Sequence, residues 1–225
     1  MSTFWYMEIS KFPVVFAGLY YFRQLPKPYK IVLYLLIIAI GCEIYGYYIG
    51  AIQKQSNAWL FNFYMPVEVW ALGLAAIDLV PKKKAQLLFY VLLFTNTIIW
   101  IVDMYNDVYQ FANFSMVCGS VLLTVLYMGV LVNNSLFTQK NIRKQPVFWL
   151  SISTILYFGC VVPYMGMHNY LSKEYYKVAV ELAYINIILN FVRYPLVAIS
   201  FILLGRQKLQ LDQQRKNTTN VLQRH

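Results

Sequence analysis

Apolar residues in this chain neither alternate nor keep to one narrow stripe. They run in long blocks. Seven blocks stand out: Phe4–Phe22, Ile31–Ile49, Leu60–Val80, Ala85–Tyr105, Phe111–Val132, Val147–Met167 and Val178–Leu204. A helix needs about 20 mostly apolar residues to cross a hydrocarbon core about 30 Å thick. Short segments holding breakers or polar residues separate the blocks: Pro26 and Pro28, Gln53–Asn57, Pro81, Asp103–Asp107, Asn133–Gln145 and His168–Lys173. The alternation of barrel strands is absent. The pattern predicts an all-α integral membrane bundle of seven transmembrane helices over residues 1–205, with a basic polar cytoplasmic tail over 206–225. The first block is the least apolar, because it carries Glu8, Lys11 and Pro13. It reads as a retained helix: no basic group precedes the run, and it ends in Leu19-Tyr20-Tyr21-Phe22 rather than in small residues.

Composition agrees. Of 225 residues, 60% are hydrophobic and 12% charged, where a soluble domain carries roughly a quarter charged. Such a chain cannot cover itself with polar surface. The net charge of +10 taken alone would suggest nucleic acid, but where the charges sit argues otherwise. Arg23, Lys27 and Lys30, then Lys82, Lys83 and Lys84, then Lys140, Arg143 and Lys144, and finally Arg206, Lys208, Arg215, Lys216 and Arg224 all fall on one predicted side. That is 14 of the 19 basic residues. The excess marks the cytoplasmic side, which puts the N-terminus outside and the C-terminus inside. Basic loops meet anionic headgroups, so the expected partner is the lipid bilayer and not nucleic acid. The expected location is the cell inner membrane. Cys42, Cys118 and Cys160 fall inside spans, where free cysteines act as small hydrophobes.

An ionisable side chain inside a membrane helix is costly unless it meets a partner or water. Glu43 lies roughly 9 Å below the outer end of the second span, and Glu68 roughly 12 Å below that of the third. Glu8, Asp103, His168 and Glu181 sit nearer the rim, where Glu8, Lys11 and Glu181 can snorkel. Helical spacing then groups polar residues into stripes. On the seventh span Asn186, Asn190 and Arg193 align, beside Pro195. On the sixth Ser153, Tyr157, Cys160, Tyr164 and His168 align. Asn96, Trp100 and Asp103 align on the fourth, and Ser120, Thr124 and Tyr127 on the fifth. Glu43 aligns with Tyr47, and Glu68 with Tyr64. Turned inward, these stripes enclose a polar, Tyr-rich cavity in the outer half of the bundle. Its expected ligand-binding residues are Glu43, Tyr47, Glu68, Tyr164, Asn186, Asn190 and Arg193. At least one glutamate is expected to pair with Arg193 through Asn190.

Several chemistries find no residues. The last span has no central lysine for a retinal Schiff base. His168 and His225 are the only histidines, too few for an intramembrane zinc hydrolase, so neither a metal nor a cofactor is expected. No catalytic residues are assigned. Pro66-Val67-Glu68-Val69-Trp70 resembles the Pro-x-Glu-Glu element of membrane carotenoid (lycopene) cyclases, with Val69 in place of the second acid. Asn57-Ala-Trp-Leu-Phe-Asn62 running into Glu68, together with Pro146-Val-Phe-Trp149, resembles an uncharacterised family of short heptahelical bacterial inner-membrane proteins. That resemblance implies fold and topology, and no activity. Gly41-Cys42 recurs as Gly159-Cys160, which fits a parallel three-plus-one-plus-three arrangement. Three functions fit, in descending order: a heptahelical sensor of a small molecule whose tail meets a cytoplasmic signalling partner, a small-molecule transporter, and an enzyme acting on a lipid or isoprenoid.

Overall fold

A computed structural model describes residues 2–106, 111–134 and 141–222. Among them are seven α-helices: α1 (Ser2–Tyr20), α2 (Lys27–Tyr47), α3 (Ala58–Leu79), α4 (Lys83–Asn106), α5 (Asn113–Asn133), α6 (Pro146–Glu174) and α7 (Tyr176–Leu222). Prolines open two of them. Pro28 in the first turn of α2 and Pro146 in that of α6 lack a donor where none is needed. The end of α2 widens into a turn at Tyr48–Ile52, where Gln53 N–H donates to the Tyr48 carbonyl at 3.1 Å.

Six of these helices are long and apolar enough to cross a membrane, over residues 27–52, 58–79, 83–105, 113–133, 146–167 and 177–215. The helix α1 is not among them. Its charged pair Glu8 and Lys11 lowers its hydropathy, so the expected seventh span rests on α1 alone. The outward faces are greasy. On α4, Leu87, Leu88, Val91, Phe94, Ile98 and Val102 are all exposed. So large an apolar surface is not tolerated in water and is ordinary against lipid.

Six helices form a ring in which α1 packs on α2, α2 on α3, α3 on α5, α5 on α6, α6 on α7, and α7 back on α1. The remaining helix, α4, packs against α3 and α5. One end of the bundle gathers the basic segments. Lys27 pairs with Asp78 at 3.1 Å, joining the start of α2 to the end of α3. The Gln86 amide donates to the Ile77 and Val80 carbonyls, and Asn134 to the Leu79 carbonyl. Gln207 donates to the Lys144 carbonyl, which brings α7 to the start of α6. The helix α7 runs through residue 205 without a break, so the expected tail continues the last span as one helix.

Proline inside a helix frees the carbonyl four residues earlier. Pro66 frees that of Asn62, and the Trp100 indole N–H from α4 donates to it at 2.9 Å. In an apolar surround such a carbonyl needs a donor. This contact accounts for much of the α4 stripe. Asp103 accepts from the Ser115 N–H at 2.8 Å at the start of α5, and Trp70 donates to Thr97 at 2.8 Å. The expected inward turn of Asn96, Trp100 and Asp103 is therefore corrected: Trp100 and Asp103 join α4 to its neighbours, and Asn96 is buried without reaching the cavity wall.

Candidate ligand-binding cavity

The ring encloses a cavity of about 300 Å³, lined by residues of α2, α3, α5, α6 and α7. It lies in the half of the bundle away from the basic end, where Glu43 of α2, Phe61 of α3, Met116 of α5 and Tyr164 of α6 face one another. Between α5 and α4, Phe111 packs on Phe61, with ring centroids 6.4 Å apart, and both line the cavity.

Of the residues expected to bind a ligand, Glu43, Glu68, Tyr164, Asn186, Asn190 and Arg193 line this one cavity. Tyr47 does not. It shares a helical face with Glu43 but lies one turn further toward the end of α2, beyond the cavity, which ends near Glu43. The side chain of His168 falls outside those described.

Two ionic clusters organise the interior. Arg193 of α7 donates to Glu68 of α3 at 3.0 Å. This bond is direct, which corrects the expected mediation by Asn190. The Asn190 amide instead donates to the Asn186 side-chain oxygen at 3.4 Å, and the Tyr157 hydroxyl donates to the same oxygen at 3.1 Å. The Arg193 guanidinium lies 4.3 Å from the Tyr157 ring centroid and 5.0 Å from that of Phe158. Aromatic faces stabilise a desolvated cation. The helices α3 and α7 are not packing neighbours in the ring, so Glu68–Arg193 spans the interior between them.

The second cluster joins α1 to α2. Lys11 lies three residues after Glu8, one turn along the same face, and both point inward. The Lys11 ammonium bonds Glu8 at 2.7 Å and also bonds Glu43. Lys11 is fully buried and Glu8 is 3% exposed, whereas Glu43 is 20% exposed and reaches the cavity. The expected snorkelling of Glu8 and Lys11 is thereby corrected. A buried cation on α1 is cheapest beside the carboxylate on α2, and Tyr194 of α7 adds a ring 5.8 Å from the ammonium.

No protein-family model, curated protein or solved structure matches the chain.

The chemistry must therefore be read from the cavity itself. Its wall combines carboxylates, one guanidinium, side-chain amides and aromatic rings with aliphatic side chains such as Leu35, Leu36 and Val161. That is the makeup of a small-molecule site: mostly apolar, with a few convergent polar groups. Among the described residues no group of three or more His, Cys, Asp or Glu is gathered as for a metal ion. Sequence reading missed Lys11 as an interior group, together with Tyr194 and Phe158 beside the charges. The i, i+3 spacing of Glu8 and Lys11 was the available signal for the first. The rings carried none, because an aromatic residue in a membrane helix faces lipid as readily as a cavity.

Proposed function

We propose that the protein is a seven-span membrane sensor of a small molecule, with its N-terminus outside and its C-terminus in the cytoplasm. The observation that carries this reading is α7. Its 47 residues form one helix roughly 70 Å long. That helix supplies Asn186, Asn190 and Arg193 to the cavity wall and continues into the exposed basic segment beyond residue 205. A ligand that moves Arg193 therefore acts directly on the element that leaves the membrane. In this reading α1 is the seventh span, its charges hidden against α2 and α7, and the tail meets a cytoplasmic signalling partner.

A transporter is the second reading, and two observations favour it. Pro66, Pro163 and Pro195 lie inside α3, α6 and α7 next to cavity residues. With α4 packed on α3 and α5, helices one to three and five to seven make up the ring, as a three-plus-one-plus-three plan requires.

The test begins with thermal stabilisation of the purified protein by a metabolite panel, followed by a nitroxide label at Leu211, which is 54% exposed. A sensor predicts that a stabilising ligand changes the label's mobility and does not accumulate in proteoliposomes. An unchanged label at saturating ligand, with uptake into the vesicles, would replace the sensor by the transporter.

A further inference from the structure

The interior charges do not balance. Glu68 and Arg193 form a matched pair across the cavity. Glu8 and Glu43 share the single ammonium of Lys11. In their ordinary ionised forms these five groups leave one unmatched negative charge, and it sits at the Glu8–Lys11–Glu43 cluster. One oxygen of Glu8 is buried and has no hydrogen-bond partner among the described residues. Glu43 bonds Lys11 through one carboxylate oxygen and also lines the cavity, so Glu43 is where a positive group entering the cavity meets that charge.

We propose that the cavity selects a small organic monocation, an ammonium or related group on an apolar or aromatic body. Three features point the same way. An unmatched charge at low dielectric attracts a cation strongly, whereas an anion would add a second unmatched charge. The wall near Glu43 includes Phe61, Tyr64 and Phe111, whose ring faces stabilise a cation. Leu35, Leu36, Ala39, Val69 and Val161 add aliphatic wall that takes an apolar body. A volume of about 300 Å³ is at the lower end of the roughly 300–1,000 Å³ of ligand pockets, which suits a compact ligand.

The inference rests on the cavity being a ligand site, and the test separates the two. Three probes of similar size are compared on the full chain in lipid nanodiscs by calorimetry and thermal shift: benzyltrimethylammonium, its uncharged carbon isostere neopentylbenzene, and phenylacetate. The quaternary ammonium carries no dissociable proton, so its charge is fixed. The expected result is that the cation binds at least tenfold more tightly than the isostere, and phenylacetate most weakly. Glu8→Gln, outside the cavity wall, should abolish the preference for the cation while leaving isostere binding unchanged, and Glu43→Gln should abolish the preference for the cation as well. Glu8→Gln is the sharper variant, because it matches the cluster's charge without altering the residues of the cavity wall. Both variants reduce an unmatched buried charge, so neither should impair folding. Equal binding of cation and isostere, as expected if a proton already neutralises the cluster, would overturn the inference and leave the cavity as a neutral site. A preference that survives both substitutions would also overturn it. Binding of none of the three probes would remove the ligand-site reading itself.

Discussion

The bond between Glu68 and Arg193 allows a quantitative test of the interior. The two groups are 3.0 Å apart, with 16% and 8% of their side chains exposed. At an effective dielectric of about 20, two unit charges at that distance attract by roughly 5 kcal/mol before desolvation. Desolvation takes back much of this, so the net worth of the pair is small, while removing one partner strands the other. The two losses should differ. In Glu68→Gln, Arg193 keeps the faces of Tyr157 and Phe158 at 4.3 and 5.0 Å. In Arg193→Gln those contacts vanish and Glu68 is left with its edge on the cavity. Each single substitution should cost about 2–4 kcal/mol, with Arg193→Gln the larger, and the double variant should recover about 2 kcal/mol of the summed loss. Unfolding titrations with sodium dodecyl sulfate in mixed micelles, followed by tryptophan fluorescence, read these differences. The cycle between Glu43→Gln and Arg193→Gln is the control, since Glu43 bonds Lys11 instead. Additivity within about 0.5 kcal/mol for the Glu68–Arg193 cycle would refute the bridge.

Lys11→Met leaves Glu8 and Glu43 facing each other without a cation and should cost about 3–5 kcal/mol in the same titration, part of it restored by adding Glu43→Gln; a loss below about 1 kcal/mol would return Lys11 to the membrane surface. Reporter fusions at Lys83 and at the C-terminus should both read cytoplasmic, and a periplasmic signal from either would reverse the topology. Two glycines test the ring. A methyl at Gly119 would lie 2.9 Å from both Met65 Cε and Val69 Cγ2, so Gly119→Ala should destabilise by about 1–3 kcal/mol. A methyl at Gly41 meets nothing within 4 Å, so Gly41→Ala should be neutral or gain up to about 1 kcal/mol of helix propensity. The reverse order would mean that α3 and α5 do not pack as described.

The helices were legible because lipid demands long apolar runs, and such runs survive in a bare sequence. The gathering of Glu43, Glu68 and Arg193 in the interior was legible for a related reason: charge inside a run is rare enough to stand out. Direction was harder. Periodicity assigns Asn96, Trp100 and Asp103 to one face of α4 but does not say which neighbour that face meets. The answer depended on Pro66, on a different helix, whose missing N–H leaves the Asn62 carbonyl in need of the Trp100 donor. Lys11 was hidden for the same kind of reason. Near a helix end, a lysine can reach the surface or a buried acid at similar cost, and only the position of Glu43 on the adjacent helix decides between them. Tyr47 shows a third limit, since a shared helical face does not tell where along the axis a cavity stops.

The two charge clusters play different parts in the ring. Lys11 ties α1 to α2, which are already packing neighbours, so its bond adds to an existing contact. Glu68–Arg193 instead joins α3 and α7, which have no extended contact of their own. A ligand can shift an equilibrium only by its differential affinity for the two states. A molecule that filled the cavity and left this bridge intact would therefore stabilise the protein without freeing α7. One that separates the pair must bind the separated state more tightly by at least the bridge's coupling. At about 2 kcal/mol that is a preference of roughly thirtyfold. The coupling measured in the double-mutant cycle thus sets the smallest discrimination a ligand needs in order to act through α7. Under the proposed sensor reading the two clusters take separate tasks: the unmatched charge at Glu43 would draw the ligand in, and the matched pair at Arg193 would decide whether its arrival moves the helix.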